Sequence, residues 1–249
     1  MTTVVVPAQP PIPGTVCQEI VAGTPLTPDD GAELYRAVLK DVFTALSEST
    51  VDVVVNYPPM EDVPDAADLE DSPEAILRGI AGAVVDPDRL EDVRFEVQVG
   101  SDFSAIVGNA ITHLLETEEE ASAAVLRPCV PRVVRSILDE AAIKMRRTEV
   151  VLGGAGDGDV YFAGFTEPID FAGAFGDVPI ETIAQRAGEQ GLTVDFLRNR
   201  DVLRTPRDLR SVVIRLRANV LAEKPVPRYL WSFIEERGLS VSGGSLQVG

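Results

Sequence analysis

Residues 153–159 read Gly-Gly-Ala-Gly-Asp-Gly-Asp, and they are the part of this chain best equipped for chemistry. Glycines let the backbone approach a ligand closely. Asp157 and Asp159, two residues apart, can share a divalent cation if the turn converges them, since Mg²⁺ takes one or two carboxylates together with substrate phosphates. The alternative is a glycine-rich turn with its acids facing water. The segment is not a Walker A loop, because no Lys-Ser/Thr pair follows. A dinucleotide fingerprint also fails, because a strand pattern follows instead of a helix.

Other chemistries find less support. His113 is the only histidine. It stands at the edge of an apolar helical stripe beside Ala110 and Leu114, where a structural role competes with a catalytic one that would need a partner. No Gly-x-Ser-x-Gly elbow occurs. Cys17 and Cys129 form neither a disulfide framework nor a metal-ligand spacing. Tyr229, Trp231 and Phe233 form an aromatic cluster near the C-terminus. Tyr229 and Phe233 stand at i, i+4, the spacing of helix packing, and the cluster is also a candidate partner surface.

The elements that must position these residues alternate. Residues 3–6, 51–55, 123–126, 149–152 and 193–197 read as short apolar strands. Residues 93–99 alternate apolar and polar, as in a half-exposed edge strand. Thr27-Pro28-Asp29-Asp30 reads as a helix start with Thr27 as N-cap, and Leu34, Val38 and Val42 continue its buried stripe. Further helices are predicted from Ser72-Pro73, over 103–114, over 134–145, from about Pro179, after Thr205-Pro206 and over 227–237. Residues 57–72 read as an acidic surface loop. Residues 240–249, rich in Ser and Gly, read as a tail mobile in part.

Repeated strand–helix alternation predicts an α/β fold: an open, mainly parallel sheet with helices on both faces. Such sheets place ligands outside the carboxyl ends of their strands. The expected organisation is one domain over 1–224 with an appended C-terminal helix and tail over 225–249.

The chain has 249 residues, 40 of them acidic and 22 basic, for a formal net charge of −18. Lys40, Lys144 and Lys224 are its only lysines. Such a surface repels itself at low ionic strength, and salt screens that repulsion. The pattern points to a protein of a high-salt cytoplasm. It disfavours duplex nucleic acid, which wants a basic face. No apolar run reaches membrane-spanning length and no signal peptide is evident, so a cytoplasmic protein without a membrane partner is expected.

Several segments in order, spanning roughly residues 3–215, resemble a GT-A-type (nucleotide-diphospho-sugar transferase-like) family associated with radical-SAM and selenoprotein domains. Pro11-Ile12-Pro13-Gly14 fits its opening P-x-P-G. Leu26-Thr27-Pro28, running on to Ala37, fits the next helix. Gly153, Ala155, Asp157, Gly158, Tyr161, Gly164 and Phe165 follow its G-P-A-x-D-G-G-Y-Y-L-x-G-L. The segment Asp177-Val178-Pro179-Ile180-Glu181-Thr182 resembles its D-x-P-W-S-T. Asp201 with Thr205-Pro206 and Asp208-Leu209 resembles its D-x-D-T-P-x-D-L.

The resemblance implies a GT-A/Rossmann-like fold and a nucleotide or nucleotide-sugar ligand. It implies Asp157 as catalytic acid, Asp157 and Asp159 as ligands for Mg²⁺ or Mn²⁺, and Pro13, Gly14, Asp102, Gly158 and Tyr161 as nucleotide contacts.

The departures bear on activity. The family's opening lysine and arginine are replaced by Cys17 and Glu19, and Glu19 repels phosphate. Its S-D-C-P acid is missing from Arg127-Pro128-Cys129-Val130-Pro131. The second acid of D-x-D-T-P falls near Arg204. Its G-x-D-L-G-x-R survives only as Gly100, Asp102 and Phe103. Two functions stay open: a binding or interaction module with reduced or lost transferase activity, its C-terminal helix available to a protein partner, or an active metal-dependent transferase with Arg127 or Arg204 as replacement cations.

Overall fold

A computed structural model describes residues 2–64 and 69–249. The expected 57–72 loop therefore lies partly outside the described residues.

The first strand, β1 (Thr2–Pro7), is buried throughout. A loop leads to a short helix, α1 (Gln18–Ala22), and then to α2 (Pro28–Ser47). The Thr27 reading is realised as a capping box. The Thr27 hydroxyl accepts from the Asp30 N–H at 3.2 Å, and the Asp30 carboxylate accepts from the Thr27 N–H at 2.8 Å. Two orphan amides at the helix start are thus satisfied. Strand β2 (Asp52–Tyr57), helix α3 (Pro73–Gly82) capped by Ser72, and helix α4 (Pro87–Glu91) capped by Asp86 follow.

Next come β3 (Arg94–Val97), α5 (Phe103–Thr112) running into a π turn, β4 (Ser122–Leu126) and α6 (Arg135–Lys144). The antiparallel pair β5 (Val150–Gly154) and β6 (Val160–Phe165) precedes α7 (Pro179–Glu189), β7 (Val194–Leu197), α8 (Pro206–Leu221) and α9 (Arg228–Glu236). Ser240–Ser242 (β8) and Ser245–Gln247 (β9) pair as a hairpin across Gly243-Gly244, both at positive φ. Leu246 of that hairpin is buried.

The seven-stranded sheet has the order β3-β2-β1-β4-β6-β5-β7, and only β6 runs antiparallel. Each strand sends alternate residues to opposite faces. Val4, Val6, Val53, Val55 and Leu126 meet the layer of α2, α3, α6, α8 and α9. Val5, Val54, Val125 and Leu152 meet α5 and α7. Both faces being covered, the strands read as apolar runs. The expected edge strand is β3, paired on one side only.

Helix α9 is bound into the main body. Leu230, Phe233 and Ile234 are buried in the same cluster as the inward residues of α2. Pro227 offers no side-chain cap. Asp41 of α2 supplies it from across the interface, accepting from the Tyr229 N–H at 3.0 Å and the Leu230 N–H at 2.8 Å. The apolar face of this helix is thus covered by its own chain.

Candidate functional site

The carboxyl ends of β1, β4, β5 and β7 and the start of β6 share one edge of the sheet. That edge is where an open α/β sheet presents ligand-binding loops. The β1–α1 loop contributes Pro13 and Gly14, both exposed, with Gly14 at φ +80° and open space around it. Asp102 caps α5, accepting from the Ala105 N–H at 3.0 Å. Its neighbour Phe103 lies edge-on to Phe175, ring centroids 5.3 Å apart, and the Arg127 guanidinium sits 4.8 Å from the Phe103 ring centre.

The Gly-Asp-Gly turn lies between β5 and β6. Asp157 is exposed and takes a left-handed backbone (φ 57°), followed by Gly158 at φ 77°. A Cβ on Gly158 would meet a Val178 methyl at 2.9 Å, so only glycine fits both the dihedral and the space. The Asp159 carbonyl accepts from the Ala155 N–H at 2.7 Å, which closes the turn.

This geometry sends the two acids to different environments. Asp159 is buried. One of its oxygens accepts from Arg127 at 2.6 Å and from the Val160 N–H at 2.8 Å, and the other accepts from Arg204 at 2.6 Å. The Arg127 and Asp159 side chains are 14% and 9% exposed, whereas Arg204 is 51% exposed. Arg204 is delivered by the loop after β7, where the Leu203 N–H bonds to the Cys129 carbonyl at 2.7 Å. Asp159 is thus the anionic hub between two arginines 32 and 45 residues away in sequence.

The donor set can be tested directly against a divalent ion. Asp159 offers no bare carboxylate, and two guanidiniums beside it repel a further cation. Asp157 stands alone on the outside of the turn. Among the described residues no group of three or more His, Cys, Asp or Glu is arranged to hold a metal. The expected Asp157–Asp159 pair does not converge: Asp159 is turned into its two ion pairs, and only Asp157 faces outward.

Tyr161 also faces inward. It is wholly buried under the α6 side of the sheet, with its hydroxyl donating to the Arg198 carbonyl at 3.1 Å. Its ring fills the space over Gly153, where a Cβ would come within 2.5 Å of it. The residue at this position supports the strand from within the core.

The thiols near the edge are quiet. Burial, then the neighbouring Cys129, pushes the Cys17 thiol up to about 12, and burial raises Cys129 as well. Protonated thiols are poor nucleophiles. Glu19 is close enough to act electrostatically on Arg204. His113 lies outside this group, on the turn after α5, with its Nε2 3.2 Å from Glu118. The Phe103–Phe175 contact and the Arg–Asp–Arg hub are what the sequence did not reveal, because their partners are joined only by the fold.

No protein-family model and no curated protein matches the chain. Solved structures do match. A Desulfovibrio desulfuricans G20 protein assigned to the nucleotide-diphospho-sugar transferases is 18% identical, with a TM-score of 0.75 over 95% of both chains. The 4-diphosphocytidyl-2C-methyl-D-erythritol synthase of Anaerococcus prevotii DSM 20548 is 9% identical, with a TM-score of 0.50 over 90% of this chain and 96% of that one. At these identities the likeness establishes the fold, a nucleotide-diphospho-sugar transferase-like α/β sheet, and nothing finer.

Proposed function

We propose that this chain is a binding module built on the nucleotide-diphospho-sugar transferase fold, with metal-assisted group transfer reduced or lost. The observation that carries the reading is Asp159. Asp159 stands where the resembled family has glycine, and its buried carboxylate is neutralised by Arg127 and Arg204, so it adds no second metal ligand beside the family's acid, Asp157. A transferase that relies on a divalent ion uses it to offset charge developing on the leaving phosphate. Here the chain supplies its own fixed cations, paired internally.

The ligand supported best is a nucleotide or nucleotide sugar at the carboxyl edge. Gly14 leaves backbone accessible there, and Arg204, half-exposed, presents a guanidinium that phosphate can share with Asp159. Asp102 and Pro13 flank the same edge. The high negative charge supports the further proposal that the module works in a salt-rich cytoplasm. No described helix is long and apolar enough to cross a membrane.

Thermal-shift screening with nucleoside triphosphates and nucleotide sugars, with and without Mg²⁺ or Mn²⁺, tests the proposal. A ligand at 100 times its Kd stabilises by about 2.7 kcal/mol. Metal-independent stabilisation is the expected result. Stabilisation that requires a divalent ion and disappears in Asp157→Ala establishes the active transferase reading instead. No stabilisation by any nucleotide removes the nucleotide from the proposal.

A further inference from the structure

A second hollow lies on the face formed by α2, α6, α8 and α9, and it shares no residue with the Arg127–Asp159–Arg204 group. Its volume is about 650 Å³, within the range of roughly 300–1,000 Å³ typical of small-molecule sites. Four basic residues line it. Arg132 comes from the loop after β4, Arg200 from the loop after β7, Lys224 from the link between α8 and α9, and Arg228 from the start of α9.

These cations are unusual in a chain with 40 acidic and 22 basic residues. Nine other arginines and lysines have a carboxylate partner among the described residues. None of these four does. Arg132 and Arg200 are also partly buried, and the Arg200 Nε is buried with no hydrogen-bond partner. The titratable group beside Arg200 is the Tyr161 phenol, which is neutral because burial pushes it up to about 12. Asp41 and Glu48 also line the hollow. The Asp41 oxygens are occupied by the Tyr229 and Leu230 amides, and Glu48 is exposed.

The Tyr161 hydroxyl is a neutral partner for Arg200, so these partly desolvated guanidiniums have no charge partner, and an anion supplies what they lack. Their planar forks match phosphate and carboxylate groups two hydrogen bonds at a time. Val133, Pro225 and the Tyr229 ring give the same hollow an apolar side. The geometry points to a binding site for a small organic polyanion, bearing two or more phosphate or carboxylate charges on an apolar body.

Calorimetric titration of the intact chain with inorganic pyrophosphate and with citrate tests this, in KCl just sufficient to keep the protein folded. At least one probe binds, and which one identifies the anionic group. The Arg132→Gln/Arg200→Gln double variant weakens binding by about tenfold or more. Lys224→Gln changes an exposed side chain whose loss the fold tolerates, and it weakens binding about two- to fivefold. Arg94→Gln, on the edge strand β3 and outside both groups, leaves the affinity unchanged. The assignment is overturned if neither probe binds, if Lys224→Gln and the folded double variant bind as the parent does, or if Arg204→Gln is the change that removes binding.

Discussion

Replacing Asp159 by alanine separates a structural ion-pair hub from a metal ligand. In the parent, the buried Asp159 and the largely covered Arg127 are 2.6 Å apart, while Arg204 reaches the other oxygen from a half-exposed position. Removing the carboxylate strands the Arg127 charge, and breaking a buried pair this way costs about 3–5 kcal/mol. The Arg204 contact adds little, about 0–1 kcal/mol, because water can solvate that side chain. The Val160 N–H also loses its acceptor. A net loss of about 4 kcal/mol lowers Tm by roughly 8–16 °C for a chain of this size. Denaturant unfolding and calorimetry, without added metal, read it. Arg204→Ala is the internal comparison and costs under about 1 kcal/mol. A loss below about 1 kcal/mol for Asp159→Ala refutes the hub, and the carboxylate is then free to serve a ligand.

Three other outcomes follow from the same contacts. Tm rises with KCl concentration as screening relieves the self-repulsion of a −18 surface, and equal Tm at about 0.1 M and multi-molar KCl contradicts this. Asp41→Ala costs about 1–2 kcal/mol by uncapping α9. Burial raises Asp41 from 3.8 to about 6, so its contribution to stability is full below pH 3.8 and falls as pH rises through 6; Asp41→Asn, followed by denaturant melts across that window, lacks this decline. Tyr161→Phe removes the hydroxyl's contacts with the Arg198 carbonyl and the Arg200 side chain, costs about 1 kcal/mol and leaves nucleotide affinity unchanged; a changed affinity places the ring at the ligand after all.

The fold was legible wherever local chemistry decides structure. Thr27-Pro28-Asp29-Asp30 announced its N-cap, and residues 93–99 announced an edge strand by alternation. Asp86-Pro87 and Gly243-Gly244 carried equally physical signals for α4 and for the terminal hairpin, but five- and three-residue elements leave little periodicity to read. The antiparallel direction of β6 was not legible, because a buried strand reads the same in either direction. The site was legible as a place and not as an arrangement. The Gly-Asp-Gly turn was visible at 156–158, but left-handed backbone at Asp157 and Gly158 sends Asp159 inward, and its arginine partners come from other loops. Tyr161 misled for a related reason: its motif spacing is real, yet strand alternation points it into the core.

Mn²⁺ binding to the nucleotide-saturated chain, followed by electron paramagnetic resonance, tests the central proposal most directly. A module that has given up metal-assisted transfer shows only the Mn²⁺ that free nucleotide would bind, unchanged in Asp157→Ala and Asp159→Asn. One tightly held Mn²⁺ per chain, lost in both variants, contradicts it.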